Sequence, residues 1–332
     1  MFADYNLPII FAGLMALSVI VYAVLDGYDL GVGILLPLEN DQQADQMIAS
    51  IGPFWDANET WLVLAVGLLL IAFPTAHSAI LKTLYIPTAI MLIGLILRGV
   101  AFDFRAKVAQ INKHRWNQIF KIGSFIASLS QGYMLGSFVM GFESSVAAYL
   151  FSALSALGVT CAYALIGSTW LILKTTDSMQ LRAIKWAKLT GVISFAGILA
   201  VCIVNPLINS FVFDRWTTAP FVYFVAFIPF ACFTLLTIGY LVLNRLPLKD
   251  DSACWLPFLI TVIVYIFCFC GLAFSFYPYV VPGELTIWQA ASAPESLRFI
   301  LYGALIVIPC ILAYTVFSYR IFWGKVEELR YH

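Results

Sequence analysis

The chain has 332 residues, a formal net charge of zero and a mean hydropathy of +0.93. Apolar residues make up 62% of it and charged residues 11%, less than half of the roughly 25% typical of a soluble domain. This composition excludes a soluble globular protein, and the lack of a basic excess excludes a nucleic-acid-binding one. It predicts a single integral-membrane domain over residues 1–332, surrounded by membrane lipids.

Nine apolar segments are long enough to cross a hydrocarbon core of about 30 Å. They are continuous rather than alternating in period two, so they predict an all-α, polytopic fold and not a β-barrel. The nine predicted spans cover residues 7–25, 57–74, 78–98, 119–141, 145–173, 188–212, 219–243, 255–277 and 298–323.

The basic residues predict the orientation, because cytoplasmic loops are enriched in lysine and arginine. With the N-terminus outside and the C-terminus cytoplasmic, most basic residues lie on the inner side. These inner residues are Arg98, Arg105, Lys107, Lys113, Arg115, Lys121, Lys174, Arg182, Lys185, Lys188, Arg245, Lys249, Arg320, Lys325 and Arg330. The outer side keeps Lys82, Arg215 and Arg298.

Acidic residues are concentrated where basic residues are missing. No lysine or arginine precedes Lys82, yet this part of the chain holds two pairs of carboxylates beside the inner ends of spans 1 and 2. The pairs are Asp26 and Asp29 in LDGYDLGVG, and Asp56 and Glu59 in GPFWDANETWL. Residues three apart share a helix face. Because ionised groups are costly in a bilayer, these carboxylates are candidates for function.

Span 3 returns to the same inner edge and ends in LRGVAFDFR, where Arg98 and Arg105 are seven residues apart and share a face. The sequence therefore predicts an inner-edge cluster made of Asp29, Asp56, Glu59 and Arg98. One interpretation is a polar site that handles protons or holds a polar head group. The other is a salt-bridge and capping network that only orients three helices.

Three motif residues have local alternatives of their own. Asp56 follows Pro53 and suits a helix cap as well as a proton site. Trp55 and Trp61 fit either interface aromatics or the walls of a pocket.

Gly27 and Gly31 are four apart, which allows another helix backbone to approach closely.

Histidine usage limits the redox chemistry that this chain can carry. His77 is expected in an outer turn, His114 in the basic inner loop and His332 at the terminus, whereas haem in a membrane enzyme usually needs a histidine inside a span. The seven cysteines show no CxxC spacing and are expected to be packing residues. Without P-loop, HEXXH or dinucleotide motifs, the sequence predicts no metal ligand, no haem ligand and no catalytic residue in this chain.

Four motifs are informative in combination: LDGYDLGVG, GPFWDANETWL, LRGVAFDFR, and FYPYVVPGELTIWQAAS before the last span. Together they resemble subunit II of the cytochrome bd-type quinol oxidases. The resemblance covers residues 20–105 and 275–325, and the middle spans match by order and number. FWDANETW resembles the cyanide-insensitive variant of the family.

The resemblance implies a subunit with two four-helix bundles plus one helix in the bacterial cytoplasmic (inner) membrane. It implies an obligate partner, subunit I, that carries b- and d-type haems and the quinol-oxidising loop. Some members also bind a small single-helix subunit. The complex oxidises quinol and reduces O₂ to water with cytoplasmic protons, which generates a proton gradient. In the family, subunit II contributes to the proton path, to a structural quinone pocket and, in some members, to an oxygen route.

The resemblance can be carried over residue by residue. Asp56 falls on the proton-path carboxylate of the family, and we expect Glu59 and Asp26 to lie on the same path, Glu59 at a position that varies among members. The quinone-pocket and haem-assembly positions are Asp29, Trp55 and Arg98.

Two other functions fit the same composition. A proton-coupled secondary transporter would favour broken helices with polar residues near mid-membrane, whereas the charges here cluster at one edge. A purely structural assembly subunit would need no residues that transfer protons. Co-purification of a haem-bearing protein distinguishes the oxidase from the transporter.

Overall fold

A computed structural model describes residues 2–108, 110–208, 210–219 and 221–326. The first half contains α1 (Phe2–Leu35), α2 (Asp41–Ile51), α3 (Trp55–Ala72), α4 (Pro74–Lys107), α5 (Gln110–Val139) and α6 (Val146–Lys174). The second half contains α7 (Asp177–Ile208), α8 (Ser210–Thr217), α9 (Phe221–Arg245), a 3₁₀ turn (Lys249–Asp251), α10 (Leu256–Phe276), β1 (Tyr279–Val281), β2 (Leu285–Thr286), α11 (Ile287–Ala290) and α12 (Pro294–Ile321).

Eight helices in the described residues are long and apolar enough to span a membrane: α1, α3, α4, α6, α7, α9, α10 and α12. The fourth predicted span falls on α5, which is not among them. This helix has 30 residues, but Lys121, Gln131 and several serines reduce its hydropathy. The all-helical, multi-pass fold is confirmed, whereas the ninth span and the orientation of the termini remain predictions.

The long helices pack in two groups. One consists of α1, α3, α4 and α5, and the other of α6, α7, α9 and α10; α6 joins them by packing against both α1 and α5. In the described residues, α12 packs mainly against α1, and most of its large apolar side chains are exposed. The expected division into two four-helix bundles and one further helix remains a prediction.

The crossing of α1 and α6 depends on glycine. A Cβ atom on Gly31 would lie 1.8 Å from the Tyr163 carbonyl oxygen, and one on Gly167 would lie 2.5 Å from the Gly31 carbonyl carbon. The two backbones are therefore in direct contact. The close approach predicted from the Gly27–Gly31 spacing is confirmed, with the Tyr163 ring packed over Gly27.

Two predicted boundaries are wrong, and both errors affect residues of interest. Helix α1 continues to Leu35 rather than ending near residue 25, so the first carboxylate pair lies within a helix. Phe73 alone separates α3 from α4, because Pro74 occupies the first position of a helix, where its missing N–H costs nothing. His77 consequently lies in the first turn of α4 and not in a separate turn.

The segment between α1 and α3 is helical as well. Helix α2 begins after Asn40, whose side chain accepts a hydrogen bond from the Gln43 backbone N–H at 3.0 Å. It buries Met47, Ile48 and Ile51 in the largest apolar cluster of the described residues. The predicted loop is therefore fixed against the bundle.

At the opposite end of α3, the hairpin β1–β2 and α11 pack on the start of α1. Val281 and Ile287 share an apolar cluster with Phe11 and Phe73. The Ser292 N–H and hydroxyl donate to the Ala72 and Ile71 carbonyls at 2.8 and 2.6 Å. These bonds satisfy carbonyls that the end of α3 would otherwise leave without partners.

Candidate functional site

A buried arginine lies at the centre of the inner-edge cluster. Arg98 on α4 is 1% exposed, and its Nη2 lies 2.5 Å from the Asp26 Oδ1 atom on α1. The same Nη2 lies 3.7 Å from the Glu59 Oε1 atom on α3, and the Glu59 side chain is 25% exposed. Three helices thus contribute one charge each to a single site. The cation compensates carboxylates that would otherwise be buried alone.

The second carboxylate of α1 has a different environment. Asp29 is fully buried, and its Oδ2 accepts a hydrogen bond from the Asn58 amide at 2.8 Å. The same amide donates to the Tyr28 hydroxyl at 2.9 Å, and the Tyr319 hydroxyl donates to the Asn58 Oδ1 at 3.2 Å. The two tyrosine hydroxyls also contact each other. Asp26 therefore has a cationic partner and Asp29 a neutral one.

Asp56 lies at the entrance of this site and not inside it. The residue is exposed in the first turn of α3, one turn before Glu59 on the same face. The N-cap of α3 is Phe54, so the capping role considered for Asp56 is wrong. Asp56 is left as an accessible carboxylate next to the Glu59–Arg98 contact.

The two tryptophans of the motif have separate roles. The Trp55 ring packs on Phe102 at 4.8 Å between centroids and covers Gly99, the residue after Arg98. Trp55 therefore forms a wall beside the charged site. Trp61 is buried within the bundle and is neither an interface aromatic nor part of this wall.

Arg105 does not join Arg98, although the seven-residue spacing suggested it. Its guanidinium pairs with Asp45 of α2, and its Nε donates to Asn117 Oδ1 at 2.6 Å. Lys113 is 3.5 Å from the same Asp45 carboxylate. Acidic residues of the segment between α1 and α3 thus meet basic residues that the positive-inside rule assigns to the cytoplasm.

A second ion pair fixes the start of this segment. Arg182 of α7 pairs with Glu39, and the hydrogen bond from its guanidinium lowers the pKa of the Glu39 carboxyl from its ordinary value. Arg98 is therefore one of several cations that neutralise the inner-edge carboxylates, but it is the one buried beside Asp26 and Glu59.

Several polar atoms of the site retain bonding capacity. Among the described residues, the Asp26 Oδ2, the Asp29 Oδ1 and the Nε and Nη1 of Arg98 have no hydrogen-bond partner. Buried polar atoms are normally bonded. These donors and acceptors suit exchangeable protons or the oxygen atoms of a small polar ligand. No group of three or more His, Cys, Asp or Glu side chains in the described residues is arranged to hold a metal ion.

An open groove lies next to the Asn58 network, between α1 and α12. It is lined by Leu25, Thr315, Val316, Tyr319, Arg320 and Trp323. Since Tyr319 also binds Asn58, the network that begins at Asp29 ends at the wall of this groove.

Sequence reasoning missed the neutral members of the site. Asn58 stands within the quoted motif WDANETW, and Tyr28 within LDGYD, so the order of the chain offered a signal for both. Tyr319 is more than 250 residues away in sequence. Only the packing of α12 on α1 brings it to Asn58.

The chain is similar to known proteins over nearly its whole length. The family model described as cytochrome bd terminal oxidase subunit II matches residues 7–322. The cytochrome bd-I ubiquinol oxidase subunit 2 of Escherichia coli (strain K12) is 26% identical over 356 residues, covering 95% of this chain and 94% of that protein. The cytochrome bd ubiquinol oxidase subunit 2 of Bacillus subtilis (strain 168) is 28% identical over 343 residues, covering 95% of each.

A solved structure has the same fold. A chain of the bd oxidase from Geobacillus thermodenitrificans superposes with a TM-score of 0.79, covering 96% of this chain and 98% of that one, at 16% sequence identity. The family match extends over nearly the whole sequence. This chain is therefore a member of the cytochrome bd terminal oxidase subunit II family.

Proposed function

We propose that this chain is the haem-free subunit II of a terminal quinol:O₂ oxidoreductase in the bacterial inner membrane. Family membership and the multi-pass helical fold support this function. The observation that carries the proposal is the buried Arg98–Asp26 pair with Glu59 beside it, because membrane-embedded charges of this kind are costly unless they serve a function.

The carboxylates form an ordered route from the surface inward. Asp56 is exposed at the edge, Glu59 is half-buried one turn further along α3, and Asp26 is fully buried beyond Arg98. A proton entering from the cytoplasm would meet them in that order. In this proposal Asp56 and Glu59 accept protons in turn, and Arg98 holds the inner carboxylates in place.

The exposed face of α3 indicates where the route continues. Thr60, Val63 and Val66 are exposed on the face that carries Asp56, and the Val63 side chain is 70% exposed. Lipid is a poor solvent for a carboxylate at the start of this face. We propose that the haem-bearing subunit I covers α3 and receives the protons that O₂ reduction consumes. A small single-helix subunit, if this complex has one, adds to the same assembly.

The residues beside Arg98 also suit a quinone head group. The Nη1 and Nε atoms of Arg98 are unused donors for a quinone carbonyl, and Trp55 supplies an aromatic wall. Asp29, one turn after Asp26 on α1, accepts from the Asn58 amide, which also binds the Tyr28 hydroxyl. We propose that a quinone bound here is structural and supports assembly, whereas quinol oxidation takes place in the partner.

Purification of the tagged chain from its native membrane tests this function. We expect a second, haem-bearing chain in stoichiometric amount and quinol-dependent O₂ consumption by the purified complex. A colourless chain without a partner would contradict the proposal and favour a proton-coupled transporter. A haem-bearing complex whose turnover is insensitive to every inner-edge carboxylate would favour a purely structural subunit.

A further inference from the structure

A second polar network lies deeper in the bundle than the charged site. The Tyr163 hydroxyl on α6 donates to the Gln131 Oε1 on α5 at 2.7 Å. The Gln131 Nε2 in turn donates to the Tyr22 hydroxyl on α1, also at 2.7 Å. Both tyrosines are buried in the bundle. Three helices thus place their polar groups in one chain of hydrogen bonds.

Asp26 is the next ionisable residue on the face of α1 that carries Tyr22. It lies four residues after Tyr22, one helical turn further along. Since the Tyr22 oxygen accepts a hydrogen bond from Gln131, its own proton is free for another acceptor. The Asp26 Oδ2 is the carboxylate oxygen that Arg98 does not bind, and it has no hydrogen-bond partner among the described residues.

The surrounding backbone fixes this geometry. A Cβ atom on Gly132, next to Gln131, would lie 2.6 Å from the Ala156 Cα, so α5 and α6 touch here. A Cβ on Gly27, next to Asp26, would lie 2.9 Å from the Tyr163 Cε1. The tyrosine ring therefore fills the space that the glycine leaves open.

We propose that Tyr22, Gln131 and Tyr163 form a positioning network that holds the Asp26 carboxylate in its pairing geometry with Arg98. Tyr163 donates to Gln131 and Gln131 donates to Tyr22, so the Tyr22 hydroxyl is the member of the network that is left to donate to Asp26. A neutral glutamine amide hydrogen-bonds but has no ionisable proton to pass on, so the network orients the carboxylate without conducting protons. The inference rests on the proposed role of Asp26 in the proton route.

Tyr22→Phe tests the network, because it removes one hydroxyl and keeps the ring. In the assembled complex we expect normal haem content, an unchanged KM for quinol, a decrease in kcat of about 3-fold or more, and a displaced pH profile of turnover. Tyr265→Phe is the matched control. It removes another buried phenol hydroxyl, one without a hydrogen-bond partner in the described residues, and should match the wild type in all four measurements.

A double-variant cycle tests whether the residues act through one chain. Tyr22→Phe combined with Gln131→Met should lose no more kcat than the larger single loss, because either change disconnects the network from Asp26. Additive losses would overturn the proposal. So would a Tyr22→Phe complex with wild-type kcat and pH profile, or one whose only defect is lost haem, which is the pattern of a merely structural residue.

Asp26→Asn separates this inference from the function on which it rests. A complex with Asp26→Asn that assembles and turns over at the wild-type rate would remove Asp26 from the proton route and contradict the proposed function. A slow Asp26→Asn complex beside a wild-type Tyr22→Phe complex would contradict the positioning network alone.

Discussion

Arg98 is the residue on which the charged site most depends. It is buried between Asp26 and Glu59. Two other cations of the inner edge, Arg105 and Arg182, pair with Asp45 of α2 and with Glu39 instead. Removing one member of a buried ion pair leaves an uncompensated charge, which costs on the order of 3–5 kcal/mol. Such a loss is a large fraction of the stability of a typical domain.

Arg98→Leu should therefore impair assembly rather than slow the turnover of an intact complex. We expect little assembled complex, or complex with reduced haem, measured by haem absorbance per milligram of purified protein. Arg115→Leu is the control, since Arg115 is an exposed cation of the same edge. Normal haem content in the Arg98→Leu complex would contradict the pairing with Asp26 and Glu59.

At the scale of elements, the contact between α1 and α6 positions the site. Asp26 and Asp29 lie on α1 within a turn or two of this crossing, where Gly31 is against the Tyr163 carbonyl. Small residues let helices approach within a bilayer, where lipid offers no hydrophobic driving force between helices. A methyl group at this crossing would push apart the two helices that hold the carboxylates and the positioning network.

Gly31→Ala should destabilise the complex by about 1–3 kcal/mol, the usual cost of overpacking a core. The midpoint of thermal unfolding in detergent and the amount of assembled complex should both fall. Gly13→Ala is a matched change on the same helix, with no atom within 4 Å of the added carbon, and should have little effect. Equal unfolding midpoints for the two variants would show that α1 and α6 can move apart at Gly31 without loss of stability.

Part of this architecture could be predicted from local patterns. Carboxylates three apart in LDGYD and WDANE share a face whenever the helix continues, and Arg98 meets them because adjacent spans end at the same edge. Tyr319 and Gln131 could not be found in this way. They lie on other helices, and their contacts depend on how those helices pack. Helix α2 was missed because a short amphipathic helix resembles a polar loop when only apolar length is counted.

At the scale of the whole molecule, haem binding is expected to belong to the partner. His77 lies at the start of α4 and His114 near the start of α5, where its ring contacts Gln118, and His332 lies outside the described residues. Replacing all three histidines by alanine should leave the haem spectrum of the assembled complex unchanged. Loss of one haem signal would show that this chain supplies an axial ligand.

In the proposed function, protons for O₂ reduction enter at Asp56 and pass through the inner-edge carboxylates. Asparagine has nearly the shape of aspartate but does not ionise, and Phe54 rather than Asp56 is the N-cap of α3. Asp103 is a suitable control, because it is an exposed carboxylate at the inner end of α4 outside the cluster.

Quinol-dependent O₂ consumption per haem is the most direct measurement. Asp56→Asn should assemble with full haem content but turn over about 10-fold more slowly or worse, equivalent to roughly 1.4 kcal/mol or more in the barrier. Asp56→Glu should recover part of the rate, and Asp103→Asn should match the wild type. An Asp56→Asn complex that turns over at the wild-type rate would contradict proton entry at Asp56.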